Sequence, residues 1–200
     1  MIYYFNSAYT RAHIEFSEQL SLILSRTDAL KRPIAVMCIG SDRSTGDSLG
    51  PMIGYKLSKF CFRNVFIYGS LNNPINATNL ESSIKFINQV HENPYIIAID
   101  ASLGKSEHVG YVTLAEGPLY PGLGVKKELP EVGSLHITGI VNTAGNKDNL
   151  LLQTTRLSTV MTLADIITAG LVETFRQNCI SVYPYIQLLP DQLLPQLATS

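Results

Sequence analysis

The sequence predicts an α/β fold: a three-layer αβα sandwich around a mainly parallel central sheet. Three observations carry the prediction. Two runs, Ile34-Ala35-Val36-Met37 and Tyr95-Ile96-Ile97-Ala98-Ile99, are continuously apolar, as strands covered on both faces are. Segments with apolar residues at helical spacing alternate with them. The order strand, helix, strand, helix, strand then requires right-handed crossovers, which place helices against the sheet.

A first helix is predicted from Arg11 to Leu30, with Ile14, Phe16, Leu20, Ile23 and Leu24 as its apolar stripe. Lys31-Arg32-Pro33 ends it, and the first strand follows at Ile34 to Ile39. The second helix runs from Asp47 to Phe62 on Ile53, Leu57 and Phe60, and Val65 to Tyr68 is the second strand. A third helix spans Thr78 to Val90 on Leu80, Ile84 and Ile87, broken by Asn93-Pro94. The third strand, Tyr95 to Ile99, ends in Asp100. Gly110 to Ala115 alternates like a strand exposed on one side. Gly117 to Gly133, with Pro118, Pro121 and Pro130, is an ordered excursion or a flexible lid, Leu135 to Val141 a short strand, and Asn149 to Phe175 a long last helix. These elements make a single α/β domain over residues 1–182, followed by a Pro/Leu-rich tail over 183–200.

Two hundred residues suffice to bury a substantial core. A net charge of -1 gives no bulk attraction to nucleic acid or to an anionic membrane. No apolar run reaches the ~20 residues of a bilayer span, and Met1-Ile2-Tyr3-Tyr4-Phe5 lacks the regions of a signal peptide. Cys38, Cys61 and Cys179 are odd in number and widely spaced, so they read as reduced thiols, and a cytoplasmic protein is expected. Charged residues make up 16% of the chain, against roughly 25% in an average soluble protein, which suits surface buried in a homo-oligomer.

The first three strands are expected in the order 2-1-3, which creates a switch point between strands one and three where ligands bind. The first strand delivers the loop Gly40-Ser41-Asp42-Arg43-Ser44-Thr45-Gly46 and then Asp47 to that point, and the third delivers Asp100. Asp47 has a plain alternative as an acid in the first turn of a helix, worth about 1 kcal/mol. Asp100 has one as a turn-initiating residue. Two carboxylates in one crevice can divide acid and base work or hold a divalent cation. His136, in Ser134-Leu135-His136-Ile137-Thr138-Gly139, is either a third member of the site or a structural histidine. His13, His91 and His108 stand in polar surroundings and read as surface residues. Arg43 either pairs with Asp42 or Asp47 or grips a substrate carboxylate.

Gly46-Asp47-Ser48-Leu49 spells the signature of GDSL esterases, in which the serine is the nucleophile. Here the loop from Gly40 to Gly46 separates strand from motif, and no Asp-x-x-His follows anywhere, so the match is a coincidence. The loop is neither Gly-x-Gly-x-x-Gly nor a P-loop, which gives nucleotide binding little support. Asn76-Ala77-Thr78 matches a glycosylation sequon that a cytoplasmic chain does not use.

The segments Cys38 to Pro51, Ile96 to Gly104 (Ile-Ile-Ala-Ile-Asp-Ala-Ser-Leu-Gly), Val109 to Gly117 and Leu135 to Asn142 resemble the YyaC family. These are sporulation proteins of endospore-forming Firmicutes, related to the germination protease that degrades small acid-soluble spore proteins. The resemblance covers Ile34 to Gly170 and implies a phosphorylase/hydrolase-like fold, shared with the hydrogenase maturation endopeptidases. Two aspartates of the germination protease are proposed to be catalytic, and the matching positions are Asp47, in Thr-Gly-Asp-Ser-Leu-Gly-Pro, and Asp100, in Ile-Ala-Ile-Asp-Ala. The hydrogenase endopeptidases set an acid, an aspartate and a histidine around a divalent metal. Carried over, those positions are Asp47, Asp100 and His136, which implies zinc, manganese or nickel. The germination protease is much longer than this chain, with a pro-segment, so its activity on spore proteins does not simply transfer.

Two functions are therefore expected from the sequence. One is a peptidase-like hydrolase of sporulation in which Asp47 and Asp100 activate water and the amides of Gly40 to Gly46 stabilise the oxyanion. The other is a non-catalytic sporulation factor that binds a peptide or protein partner in the same crevice.

Overall fold

In a computed structural model describing residues 1–121, 129–145, 148–178 and 180–184, the apolar runs stand at the centre of one sheet. Its strands are β1 (Ile2–Asn6), β2 (Ile34–Cys38), β4 (Val65–Tyr68), β5 (Tyr95–Gly104), β6 (Tyr111–Glu116) and β7 (Leu135–Thr143). The order is β1-β6-β7-β5-β2-β4, in which β6 alone runs against the others. The segment β4-β2-β5 is the expected 2-1-3 arrangement, so β2 and β5 flank the switch point.

The helices are α1 (Ala12–Arg26), α2 (Leu49–Leu57), α3 (Leu80–Val90), α4 (Asp148–Gln153) and α5 (Leu157–Gln177). Side chains alternate across a strand. Val36, Ile97, Ile99, Leu114 and Ile137 therefore meet α1, α2 and α5 on one face, through Phe16, Leu20, Ile53, Leu163 and Ile167. Ala35, Met37, Ile96 and Ala98 meet Leu80 and Ile87 of α3 on the other. α5 has the length and composition of a membrane span, yet its Val160, Leu163, Ile167, Leu171 and Phe175 are core residues here. α1 crosses α5 at Gly170, where an added Cβ would stand 2.2 Å from the Phe16 ring. Phe16 also meets Phe5 edge-on at 5.5 Å. Phe16→Ala is expected to cost about 3–5 kcal/mol, because the cavity it leaves lies between two packed helices. Urea unfolding measures that loss.

Several boundaries differ from expectation. The second helix stops at Leu57, because Phe60–Phe62 forms β3 and pairs with β8 (Val182–Pro184). Phe62 meets Phe175 edge-on at 5.2 Å, a partner far away in sequence. The expected last helix is two helices. Thr154 and Thr155 turn their hydroxyls back onto the carbonyls of Leu150 and Leu151 at 2.9 and 2.8 Å, where α4 ends. The expected domain boundary at residue 182 falls inside β8. Part of the excursion (residues 122–128), Cys179 and residues 185–200 of the tail lie outside the described residues.

Candidate active site

Pairing of β2 with β5 runs from Ile34↔Tyr95 to Cys38↔Ile99, and a last bond, from the Ile39 N–H to the Ile99 carbonyl (2.7 Å), closes it. Gly40, at φ +139°, then turns the chain away and donates its N–H to the Ile75 carbonyl at 2.7 Å. β5 does not end at Asp100 as expected. It continues to Gly104, paired with β7 from Asp100↔Thr138 to Gly104↔Thr143. Asp100 therefore sits within a strand, and its alternative role as a turn residue falls away. Its carboxyl accepts the Ala101 N–H at 2.7 Å, filling the place a continued β2 would have taken.

Asp47 reaches the same gap from a 3-10 turn, Gly46–Ser48, that leads into α2. Among the described residues no α2 amide donates to its carboxyl, so it is not spent as a cap. Burial pushes the Asp47 carboxyl up from the usual range, and the Ser41 backbone N–H pulls it partly back. Asp100 is held well above the usual range, first by burial, then by the charge of Asp47, with the Ala101 N–H opposing. The two acids feel each other across the gap, and Asp100 keeps its proton to higher pH than Asp47.

The rest of the loop behaves differently from expectation. Gly40 donates to Ile75, Ser41 to the Asp47 carbonyl (3.0 Å) and Arg43 to the Ser41 hydroxyl (3.2 Å), so these amides are not free to hold an oxyanion. The amides of Asp42, Ser44 and Thr45 bond to no described residue and remain for that role. Asp42 and Arg43 are exposed, and among the described residues Arg43 forms an ion pair with neither Asp42 nor Asp47. Among the described residues the buried Ser44 hydroxyl has no partner. Ser48 donates to the Thr45 carbonyl at 2.7 Å, a structural bond rather than a nucleophile's. Gly46 lies against Leu152 and Thr155, where a Cβ would come within 3.0 Å, so α4 backs the loop.

Among the described residues His136 does not gather with Asp47 and Asp100 closely enough to hold a metal ion. It pairs with Ala98, two residues before the partner of Asp100, which places the two Cα atoms about 8 Å apart. Its Nδ1 shares a 3.0 Å bond with the Gly117 carbonyl. Among the described residues no three His, Cys, Asp or Glu side chains gather closely enough for a metal ion. The donors present do not fit the zinc, manganese or nickel centre that the resemblance implies. His91 is also not the surface residue expected. It is buried, and its Nε2 shares a 2.6 Å bond with the Tyr68 hydroxyl.

Sequence reasoning missed a row of hydroxyls beside Asp100. Ser102 donates to the Thr138 hydroxyl at 3.0 Å, and Thr138 and Thr113 share a bond of 2.7 Å. It also missed Asn142, whose Nδ2 donates to the Leu151 carbonyl (2.9 Å) and to the Thr155 hydroxyl (3.3 Å), tying β7 to the helix behind the loop. Both depend on strand register, which no local signal announces. Two cavities, of about 400 Å³ beside Tyr68 and Asn79 and about 840 Å³ between α1, α2 and α5, contain neither acid. The acids sit in a gap at the end of the sheet.

Residues 4–170 match the family described as Protein of unknown function (DUF1256). The chain belongs to the DUF1256 family. It is similar to the uncharacterized protein YyaC of Bacillus subtilis (strain 168), at 47% identity over 162 residues, covering 80% of this chain and 79% of that one. Among solved structures, it is similar to the hydrogenase maturating endopeptidase HybD from E. coli (15% identity, TM-score 0.47, 76% of this chain and 97% of that one). It is also similar to the [NiFe] hydrogenase maturation protease HycI from Thermococcus kodakarensis (14% identity, TM-score 0.48, 80% and 99%). The fold placement rests on the strand order and register above.

Proposed function

We propose that this DUF1256 member is a peptidase-like hydrolase in which Asp47 and Asp100 activate water for attack on an amide. The observation that carries the reading is the placement of the pair: Asp100 on β5 just past the last β2 partner, and Asp47 on the turn that follows β2. Asp100 is raised by burial and by the neighbouring charge of Asp47, at the point where β2 and β5 part. Close acids whose environments separate their pKa values take opposite roles. Asp47, ionised, accepts a proton from water as the water oxygen bonds to the amide carbon. Asp100, protonated, donates to the amide nitrogen as the C–N bond breaks. The proton on Asp47 is then returned to Asp100 through solvent. Partial burial of both groups fits acid–base work better than simple docking.

The resemblance supports a role in the cytoplasm of a sporulating cell, with a spore protein or another polypeptide as substrate. Cys38 and Cys61 are free thiols, as a reducing compartment allows. The test is hydrolysis of small acid-soluble spore proteins and of a peptide library by the native protein, Asp47→Asn and Asp100→Asn. Cleavage by the native protein alone is the expected result, and equal cleavage by all three overturns the mechanism. If no substrate is cut but a partner from sporulating cells is retained by the double variant, the chain is a binding factor instead.

A further inference from the structure

We propose that the polypeptide substrate is held as an added strand along the β2-side edge of Ala101 to Gly104, with its backbone beside Asp100. This rests on the reading above and adds how the substrate is recognised. β5 outruns β2 by five residues, Asp100 to Gly104, an overhang of about 16 Å paired on its other side with β7. In a parallel strand each residue turns its N–H and C=O to one side, and successive residues alternate. Ile99 faces β2, because its carbonyl accepts the Ile39 N–H, and Gly104 faces β7, because its carbonyl accepts the Ala144 N–H at 2.7 Å. Ala101 and Leu103 therefore face the gap. The register shift beside Ser102 does not alter this, since the extra residue, Val141, lies on β7.

Along that edge the Ala101 N–H is capped by the Asp100 carboxyl. The Ala101 carbonyl and both polar groups of Leu103 continue a ladder that no described strand takes up. A strand edge left in this state is a template for another extended chain, which gains main-chain bonds at every second residue. The turn carrying Asp47 packs against β5. A chain added along this edge lies in line with β2, beside Asp100. The substrate class is an unfolded or terminal stretch of polypeptide, recognised through its backbone.

The experiment uses the full chain carrying Asp47→Asn and an arrayed library of random decapeptides, followed by N-methyl scanning of the tightest binder. N-methylation at alternate positions is expected to weaken binding more than 10-fold while the intervening positions tolerate it. Exchange of the Leu103 amide is expected to slow at least 10-fold on adding the unmethylated peptide. Uniform tolerance of N-methylation, an unprotected Leu103 amide, or no binding by any peptide overturns the proposal. The two readings separate cleanly. Cleavage by the native protein without the period-two pattern leaves the hydrolase and removes the added strand. The pattern without cleavage keeps the added strand and removes the hydrolase.

Discussion

Asp100→Asn is expected to lower hydrolysis by about 10²–10⁴-fold, the usual worth of a positioned acid, while it raises the stability of the fold at neutral pH. Few substitutions do both. The carboxyl of Asp100 is held well above its ordinary value of 3.8 by burial and by Asp47, so the native state binds its proton more tightly than the unfolded chain does. The stability this confers is complete below the unfolded value and is lost as pH rises through the native one. Each tenfold difference in proton affinity corresponds to about 1.4 kcal/mol. Asparagine carries no such proton and keeps an oxygen for the Ala101 N–H. The variant and the native protein should therefore match most closely near pH 4 and diverge, in favour of the variant, toward pH 8. Urea unfolding across that range measures the divergence, and parallel curves would show that Asp100 is not a destabilised acid.

Gly40→Ala is expected to cost about 2–4 kcal/mol and to abolish hydrolysis with it. Gly40 lies at φ +139°, which side chains rarely adopt, and an added Cβ would stand 2.1 Å from the Asp47 carbonyl oxygen and 3.0 Å from Pro51. Neither neighbour can yield without moving the turn that carries Asp47. Gly117→Ala is the contrast: it also has positive φ, +98°, but nothing lies within 4 Å of its Cβ. Strain alone should cost it about 1 kcal/mol. Equal losses in the two variants would mean that backbone strain, not the close approach to Asp47, governs Gly40.

The legible parts of the fold were those written in local pattern. Val36, Ile97 and Ile99 announce buried strands, and Leu80 with Ile87 announces a helix. The switch point followed from the order of those elements. Asp47 and Asp100 were legible because each interrupts an apolar or glycine-rich context at that point. What stayed hidden depends on distant partners. Phe60–Phe62 becomes a strand only because Val182–Pro184 returns to pair with it. Asp100 looked terminal because the apolar run stops there, yet β7 carries the strand to Gly104. His136 entered the expected site only through the resemblance, since its apolar neighbours read as those of a structural histidine, and register sets it two residues from the position facing Asp100. His91 looked solvated, and Tyr68 and Phe66, whose ring centroid lies 4.0 Å from its own, enclose it.

The coupling of the two acids is tested most directly by following their side-chain carboxyl carbons by NMR as pH is varied, in the native protein and in Asp47→Asn. In the native protein, Asp100 should titrate above Asp47, and both above the ordinary aspartate value. Removing the Asp47 charge should then bring Asp100 down, leaving only the part of its elevation that burial maintains. An Asp100 titration that does not move in Asp47→Asn, or that lies near 3.8 in both proteins, would contradict a shared acid pair.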